Sequence, residues 1–408
     1  MKSKGKYVQG EISSSRRMIF NLILVLSPFL LILLFETTLR VAGYGNSFRL
    51  FIDHPDAEYK GYKVVNPEIG KKYFQTFEYS HPPKDIFLAH KPDSVFRIFV
   101  MGSSTVVGFP YDHNLMFSRI LHERLRDAYP KKRIEVVNTA ITAINSFTLL
   151  DFMPQILREK PDAILLYAGH NEYYGAFGVG SGEAASHQPL LIALHLKLMG
   201  SRVYQLIRNT ISGVAGLFSN VQTAREKRGT LMTRIVNDAE IVYGSETYRR
   251  GMDYYKNNLD RMLAMAQYKK VPVFVGNLVC NLSDLKPFKS VDVPGMESAL
   301  ELFNAGKDLE KQGKFEEAND KFSLARDYDC IRFRASSEAN QIIRTLCEKY
   351  DATLVPVFER FVKESPNGLV GNRLLTEHVH PNIDGYFLMA DAFYESLVLS
   401  KKASAIRK

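Results

Sequence analysis

The sequence of 408 residues has few of the residues that mark disulfide-rich or metal-binding folds. It contains no tryptophan and only three cysteines, Cys280, Cys330 and Cys347. Three cysteines are too few for a disulfide-dense domain, and none of them forms a C-x-x-C metal motif. With 26 glycines and 17 prolines, the chain is not a low-complexity sequence either. At 46% hydrophobic and 24% charged residues, it has the composition of a folded globular protein.

Positive charge is modest outside the N-terminus. The formal net charge is +9, and the first 17 residues account for +4 of it, which leaves +5 over the other 391 residues. A nucleic-acid-binding protein usually concentrates its basic residues in one patch. The distribution of charge therefore predicts no nucleic-acid partner.

One long apolar run lies near the N-terminus. Residues 18–35 contain no charge, and as a helix they would be about 27 Å long, close to the ~30 Å hydrocarbon core of a bilayer. The run is longer than the apolar core of most signal peptides, and residues 36–40, which follow it, are not a small-residue cleavage site. We therefore expect a retained transmembrane anchor rather than a cleaved signal peptide or a buried core helix.

Basic residues lie mostly before this run, and only Arg40 follows it closely. The five that precede it are Lys2, Lys4, Lys6, Arg16 and Arg17. By the positive-inside rule, residues 1–17 form a cytoplasmic basic tail, and the chain after the anchor lies in the periplasm or outside the cell. No second apolar run of comparable length follows, so the sequence predicts a single-pass membrane protein.

Residues 36–94 form a juxtamembrane segment that we expect to wrap partly around the next domain. After it, five short apolar runs are typical of parallel strands that are buried on both faces: residues 96–101, 134–138, 163–169, 271–278 and 353–358. Helical patterns accompany them at residues 117–129, 147–159, 248–267, 334–349 and 385–399. This alternation predicts an α/β domain over residues 95–400 with a doubly wound, flavodoxin-like, five-stranded parallel sheet.

A helical insert at residues 175–247 makes one crossover of this sheet far longer than a single helix. Its start, residues 175–182, is rich in glycine and is expected to be a flexible loop. Residues 189–218 have the pattern of an amphipathic helix. Two interpretations stay open: a helical cap over the sheet, or a lid or membrane-surface helix beside the active site.

A second insert, at residues 294–330, resembles one tetratricopeptide repeat. The match rests on small and apolar residues at the spacing of that repeat: Leu302, Ala305, Gly306, Leu309, Gly313, Phe315, Ala318, Phe322 and Ala325. One repeat cannot bury its own apolar face, so this hairpin has to pack on the α/β domain or on another protein. The pattern fits both a structural hairpin and a docking module for a protein partner at residues 302–329.

Polar residues follow three of the predicted strands and also occupy a turn near the C-terminus. The segments are residues 102–108 (GSSTVVG), 138–145 (NTAITAIN), 169–172 (GHNE) and 377–381 (EHVHP). The carboxyl ends of parallel strands meet at one edge of the sheet, where open α/β folds bind their ligands. Ser104 is then a candidate nucleophile, although a serine-rich turn also serves as a helix N-cap. Glu377 lies three residues before His380 and could orient its imidazole.

Taken in this order, the four segments resemble the blocks of the SGNH (GDSL-type) hydrolase family. Residues 102–104 resemble the first block, with Ser104 at the nucleophile position and Ser103 where the family usually has Asp. Ala143 stands where the second block usually supplies a glycine amide. Residues 169–172 resemble G-x-N-D and residues 377–380 resemble D-x-x-H, each with Glu in place of Asp. The resemblance extends over about residues 96–399 and is interrupted by the two inserts.

The resemblance implies catalysis by Ser104 as nucleophile, His380 as general base and Glu377 as the acid that orients it. The oxyanion hole would consist of the Ser104 and Ala143 amides and the Asn171 side chain, with a negative φ expected at Ala143. No cofactor and no metal are implied. We expect His378 to point away from Glu377 and to line the pocket. The rate should rise as His380 loses its proton, near about pH 6–8.

The resemblance implies a membrane-anchored serine esterase that removes an acyl or acetyl group from a cell-envelope glycan or lipid. The first alternative is an O-acyltransferase acting on an envelope polysaccharide, because water or a sugar hydroxyl can resolve the same acyl-enzyme. The second is a non-catalytic scaffold that docks through residues 302–329. A metal site is the third, although its H-x-H and H-x-E spacings are not specific for zinc. It would use His170, Glu172, Glu377, His378 and His380.

Overall fold

The computed structural model describes residues 13–74, 81–182, 187–218, 240–292, 295 and 297–406. The helices are α1 (Ser14–Val41), α2 (Ser104–Val107), α3 (Phe117–Ala128), α4 (Ser146–Arg158), α5 (Pro189–Leu198), α6 (Arg202–Phe218), α7 (Glu246–Tyr268), α8 (Ala299–Lys311), α9 (Phe315–Tyr328), α10 (Ser337–Tyr350), α11 (Val357–Glu364) and α12 (Ile383–Leu399). The strands are β1 (Phe51–Asp53), β2 (Tyr62–Val65), β3 (Ile86–Leu88), β4 (Val95–Gly102), β5 (Arg133–Asn138), β6 (Ala163–Tyr167), β7 (Val273–Gly276) and β8 (Thr353–Val355). The chain divides into two compact units, residues 1–47 with 195–220 and residues 48–194 with 221–408.

The first unit contains α1, α6 and the end of α5. Helix α1 has 28 residues, and its large apolar side chains between residues 18 and 35 are exposed. In the described part of the chain, it is the one helix that is by itself long and apolar enough to cross a membrane. Residues 189–218, predicted as one amphipathic helix, form two helices that bend by 111° at the break between them. The break occurs where Ser201 Oγ accepts the Tyr204 N–H at 3.3 Å and so begins a new helix.

The second unit is built around a five-stranded sheet of order β5-β4-β6-β7-β8, in which all neighbouring strands are parallel. Every residue of β4 is buried, as expected for a strand covered on both faces. Helices α3, α11 and α12 pack together, and α4, α7 and α10 form a second group. The strand order is flavodoxin-like, so the prediction of a doubly wound five-stranded parallel sheet is confirmed.

The last strand is shorter than predicted. Strand β8 ends at Val355, and Val357 and Phe358, which the sequence placed in the strand, begin α11. Pro356 stands at the boundary, because it has no N–H to donate to a neighbouring strand. The residues that follow it repeat apolar side chains at helical spacing, and Val357 and Phe361 are both buried.

The juxtamembrane segment contains a small antiparallel sheet, β1-β2-β3, that the sequence did not predict. Its last strand joins the α/β domain through Leu88. The Leu88 N–H donates to Glu135 on β5 at 3.0 Å, and the Leu88 carbonyl accepts from Arg97 on β4 at 2.7 Å. These strands are only three or four residues long, which leaves too little alternation for recognition from sequence.

The second insert is a helical hairpin formed by α8 and α9. The helices approach closely at Gly306, where a Cβ would lie 2.6 Å from the Phe322 ring. Phe322 and Ala318 are buried in one apolar cluster with Leu282 and Val379 of the α/β domain. The inner face of the hairpin is therefore covered by the chain's own second unit.

Candidate active site

Strand β4 brings Ser104 to the carboxyl edge of the sheet. The strand ends at Gly102, where a Cβ would lie 2.5 Å from the Tyr167 carbonyl oxygen, so the turn requires glycine. Ser103 takes the N-cap position of α2, but its hydroxyl makes no capping bond. Helix capping therefore does not account for this serine-rich turn. The Oγ of Ser104 lies 2.7 Å from His380 Nε2.

Glu377 organises the turn that carries His380. One of its carboxylate oxygens accepts the His380 N–H at 2.8 Å and also contacts His380 Nδ1. The other accepts the His378 N–H at 2.8 Å. The Thr376 N–H donates to the His380 carbonyl at 2.8 Å and tightens the same turn. The contacts run without a break from Glu377 through the His380 imidazole to Ser104.

The expectation that His378 points away from Glu377 is wrong. The Nδ1 of His378 contacts the second carboxylate oxygen of Glu377. Residues 376–379 form a bend, and in this bend both imidazoles contact the one carboxylate. The His378 ring also packs against Phe288 and Phe333, with its centroid 5.7 Å from each. His378 thus both contacts Glu377 and belongs to a buried aromatic group.

Burial lowers the pKa of the three histidines in this region. The pKa of His380 falls to about 4, that of His170 to about 3, and that of His378 well below its usual value. In each case the main cause is desolvation, which disfavours the charged imidazolium. His380 is consequently neutral at pH 7, the state that a general base requires, and its pKa lies below the expected range of about pH 6–8.

Asn171 and Ala143 lie on the two loops that follow β6 and β5. The Asn171 Nδ2 donates to the hydroxyl of Ser103, the neighbour of Ser104, at 2.6 Å. Ala143 has a φ of +59°, not the negative value expected from sequence. The left-handed conformation costs a non-glycine residue roughly 1–2 kcal/mol, so Ala143 keeps a backbone geometry that suits glycine. Among the bonds formed by the described residues, none uses the Ser104 or Ala143 N–H as donor.

The glycine-rich segment 175–182 packs against both of these loops. A Cβ on Gly175 would lie 2.7 Å from the Asn171 carbonyl oxygen and 3.0 Å from that of Ala143. The Ala176 N–H donates to the Ala143 carbonyl at 3.1 Å. The glycines that suggested a flexible loop therefore permit close approach of backbone to backbone. Composition alone cannot distinguish these two uses of glycine.

Among the residues that the structure describes, no group of three or more His, Cys, Asp or Glu side chains is placed to hold a metal ion. The Glu172 carboxylate accepts from Ser146 N–H at 3.0 Å and from its hydroxyl at 2.6 Å, and burial raises the pKa of Glu172 to about 7. The Nδ1 of His170 accepts the Ala335 N–H at 3.1 Å. Glu172 thus ties the loop of Asn171 to the start of α4.

The sequence did not single out Phe109 and Tyr386. The Phe109 ring lies 4.8 Å from the His380 ring and is 45% exposed. Its carbonyl accepts the Tyr386 hydroxyl at 2.7 Å. The only signal was the Gly108–Pro110 turn that directly follows the Ser104 segment. A half-exposed Phe109 ring therefore leaves apolar surface accessible next to the His380 imidazole.

No family model matches this chain, and no curated protein matches it. One solved structure that it resembles is a GDSL-like lipase from Bacteroides thetaiotaomicron, at 12% identity and a TM-score of 0.36, covering 76% of this chain and 91% of that one. Another is an acetylxylan esterase from Geobacillus stearothermophilus, at 13% identity and a TM-score of 0.37, covering 74% and 93%. A third is a lipase/acylhydrolase from Enterococcus faecalis, at 10% identity and a TM-score of 0.38, covering 74% and 95%. Similarity at this level is too weak to transfer an activity to this chain.

Proposed function

We propose that this chain is a serine esterase with Ser104, His380 and Glu377 as its catalytic residues. The observation that carries the proposal is the unbroken contact from Glu377 through a buried, neutral imidazole to the Ser104 hydroxyl, 2.7 Å from His380 Nε2. A hydroxyl becomes a nucleophile when an adjacent base takes its proton and a third group orients the base. Here the hydroxyl is that of Ser104, the adjacent base is His380, and the third group is Glu377.

In the proposed reaction, His380 Nε2 takes the Ser104 proton while the Oγ attacks the ester carbonyl carbon. The Ser104 and Ala143 amides and the Asn171 side chain stabilise the tetrahedral oxyanion, and Asn171 exchanges its bond to Ser103 for one to the substrate. The departing alcohol takes its proton from His380. Water, deprotonated by the same imidazole, then attacks the acyl carbon; the bond to Ser104 Oγ breaks, and His380 returns the proton to Ser104.

The proposed substrate is an acyl or acetyl ester on a glycan or lipid of the cell envelope. The support is the exposed apolar surface of α1 together with the excess of basic residues before it, which favours a retained anchor with a cytoplasmic N-terminus. A catalytic domain on the other side, in the periplasm or outside the cell, meets the esters of the envelope. The tetratricopeptide-like hairpin is structural in this proposal, because its inner face packs on Leu282 and Val379.

The test is hydrolysis of short-chain aryl esters by the purified full chain, with and without an envelope glycan as acceptor. Ester cleavage and labelling by a fluorophosphonate probe should both be lost in Ser104→Ala. Ser103→Ala is the matched control, since it removes the neighbouring hydroxyl and should keep the label. Labelling of Ser104→Ala at another serine would refute the assignment. Acyl transfer to the glycan, in preference to hydrolysis, would identify the chain as an acyltransferase.

A further inference from the structure

Helix α6 exposes an apolar face to its surroundings. Ile207, Ile211 and Val214 are exposed, with 64% of Ile211 accessible. Their spacing of four and three residues places them on one side of the helix, because each residue turns the helix by about 100°. Exposure of three large apolar side chains on one side of a helix is unfavourable in water. Contact with an apolar partner would remove this cost. We call these three residues the apolar face of α6.

The start of α6 is tied to the end of α1. The Glu36 carboxylate of α1 accepts from Ser201 Oγ at 2.8 Å and from the N–H groups of Arg202 and Val203 at 2.9 Å each. Arg40, one turn further along α1, donates to the Gly200 carbonyl at 3.0 Å. Glu36 directly follows the uncharged run of residues 18–35. The start of α6 is therefore held at the level where α1 would leave a bilayer.

The opposite side of α6 lies along the loop that follows α1. Gln205 Oε1 accepts the Asn46 N–H at 2.9 Å, and Asn209 donates to the Tyr44 hydroxyl at 3.1 Å. Because these contacts are with residues beyond the end of α1, α6 does not run back along the apolar run. Gln205 and Asn209 lie about half a turn from Ile207, so the apolar face points away from this loop.

We propose that α6 is an interfacial helix that lies in the surface of the bilayer crossed by α1. Its apolar face contacts phospholipid acyl chains just below the headgroups, as in other amphipathic helices that lie in a membrane surface. The occupant is inferred from continuity, because the capping of α6 by Glu36 fixes the helix next to the membrane span. The inference rests on the proposed retention of α1 as an anchor, and it adds a second membrane contact to that anchor.

The absence of tryptophan allows a direct test with single tryptophan probes. The full chain is reconstituted in vesicles of phosphatidylcholine with and without brominated acyl chains, which quench tryptophan on contact. Ile211→Trp probes the apolar face, and Ser212→Trp is the matched control on the other side of the same helix, also exposed. Leu31→Trp probes α1. Tyr268→Trp, at a position on α7 that is 83% exposed, measures non-specific quenching.

We expect Ile211→Trp to lose emission to an extent comparable with Leu31→Trp, Ser212→Trp to lose less, and Tyr268→Trp to set the background. The proposal is overturned if Ile211→Trp is quenched no more than Tyr268→Trp, including the case in which a protein surface such as a second copy of the chain covers it. Equal quenching at residues 211 and 212 would also overturn the assigned face. Failure of Leu31→Trp to be quenched contradicts the anchor instead, and the two failures are therefore distinguishable.

Discussion

The Glu377 carboxylate makes two kinds of contact, one with the backbone of its own turn and one with two imidazole rings. Its two carboxylate oxygens hold the backbone of the turn through the N–H groups of His378 and His380, and they also contact both imidazoles. The carboxylate therefore sets the position of His380 and the ring nitrogen that carries the proton. Removing the charge affects both, whereas changing His378 leaves the contact with His380 in place.

Glu377→Gln should lower kcat by about 10⁴-fold, as the corresponding change does in a serine protease. The amide can present its NH2 to the imidazole and hold the wrong tautomer. His378→Gln should have a much smaller effect, because an amide at that position can still donate to Glu377. The measurement is ester hydrolysis by both variants. Loss of activity in His378→Gln together with near-normal activity in Glu377→Gln would show that Glu377 is not the residue that orients His380.

The pH dependence follows from the burial of His380. Its pKa is lowered to about 4, so kcat/KM should be constant near pH 7 and should fall as the pH drops through about 4. Below that pH the loss should be about tenfold per unit, because one protonation removes the base. The profile is measured with an activated ester, at pH values where the far-UV spectrum is unchanged. A midpoint near 6.5 or above would show that the contact with the Glu377 carboxylate offsets the desolvation of His380, and it would contradict the predicted fall near pH 4.

Substitutions at Ala143 test whether its backbone N–H is a donor in the proposed oxyanion hole. Ala143→Gly should keep activity and change the free energy of unfolding by no more than about 1 kcal/mol, because relief of the left-handed conformation offsets the extra flexibility of the unfolded chain. Ala143→Val should lower kcat by about 10²–10³-fold, the effect of losing one oxyanion donor, since a β-branched residue resists positive φ. Full activity in the valine variant would exclude the amide from the oxyanion hole.

At the scale of elements, the five-stranded sheet contains a buried charged pair between two largely apolar strands. Arg97 on β4 and Glu135 on β5 are partners in the parallel register, and their side chains form a salt bridge of 2.7 Å with 1% and 6% exposure. Arg97 also donates to the carbonyls of Leu88 and Glu159. The pair therefore joins the small antiparallel sheet to the large parallel one.

Glu135→Ala should lower the free energy of unfolding by about 3–5 kcal/mol, because it leaves the Arg97 charge buried and unpaired. Arg126→Ala is the control, since its pair with Glu123 on α3 is exposed and should contribute less than about 1 kcal/mol. Both values come from denaturant unfolding of the solubilised chain. Equal destabilisation by the two changes would show that the Arg97–Glu135 pair is not held in a low-dielectric core.

At the scale of the whole molecule, the charges around α1 predict the orientation of the proposed membrane anchor. Arg16 and Arg17 lie in its first turn, and with the three lysines before them they should keep the N-terminus in the cytoplasm. An alkaline phosphatase fused after Lys408 should then be active, and a cytoplasmic reporter at the same position inactive. Replacing the five basic residues by Gln should reduce the phosphatase signal. A cytoplasmic signal from the unaltered chain would overturn the topology and the envelope substrate together.

The sequence by itself determined the features that depend on local pattern. The five strands of the parallel sheet were recognisable because they are mostly apolar on both alternating faces, and α1 because its 18 uncharged residues match the thickness of a bilayer. The order of four short segments also predicted which polar residues meet at the sheet edge. These properties arise between near neighbours in the chain, where side-chain period and composition decide the outcome.

The tertiary structure alone decided how those residues meet. Ser104 and His380 are 276 positions apart, and their 2.7 Å contact depends on which strand ends lie side by side. The orientation of His378, the positive φ of Ala143, and the pairing of Arg97 with Glu135 all arise from such distant contacts. Burial is a property of the packed molecule, and burial is also what lowers the pKa of His380 to about 4.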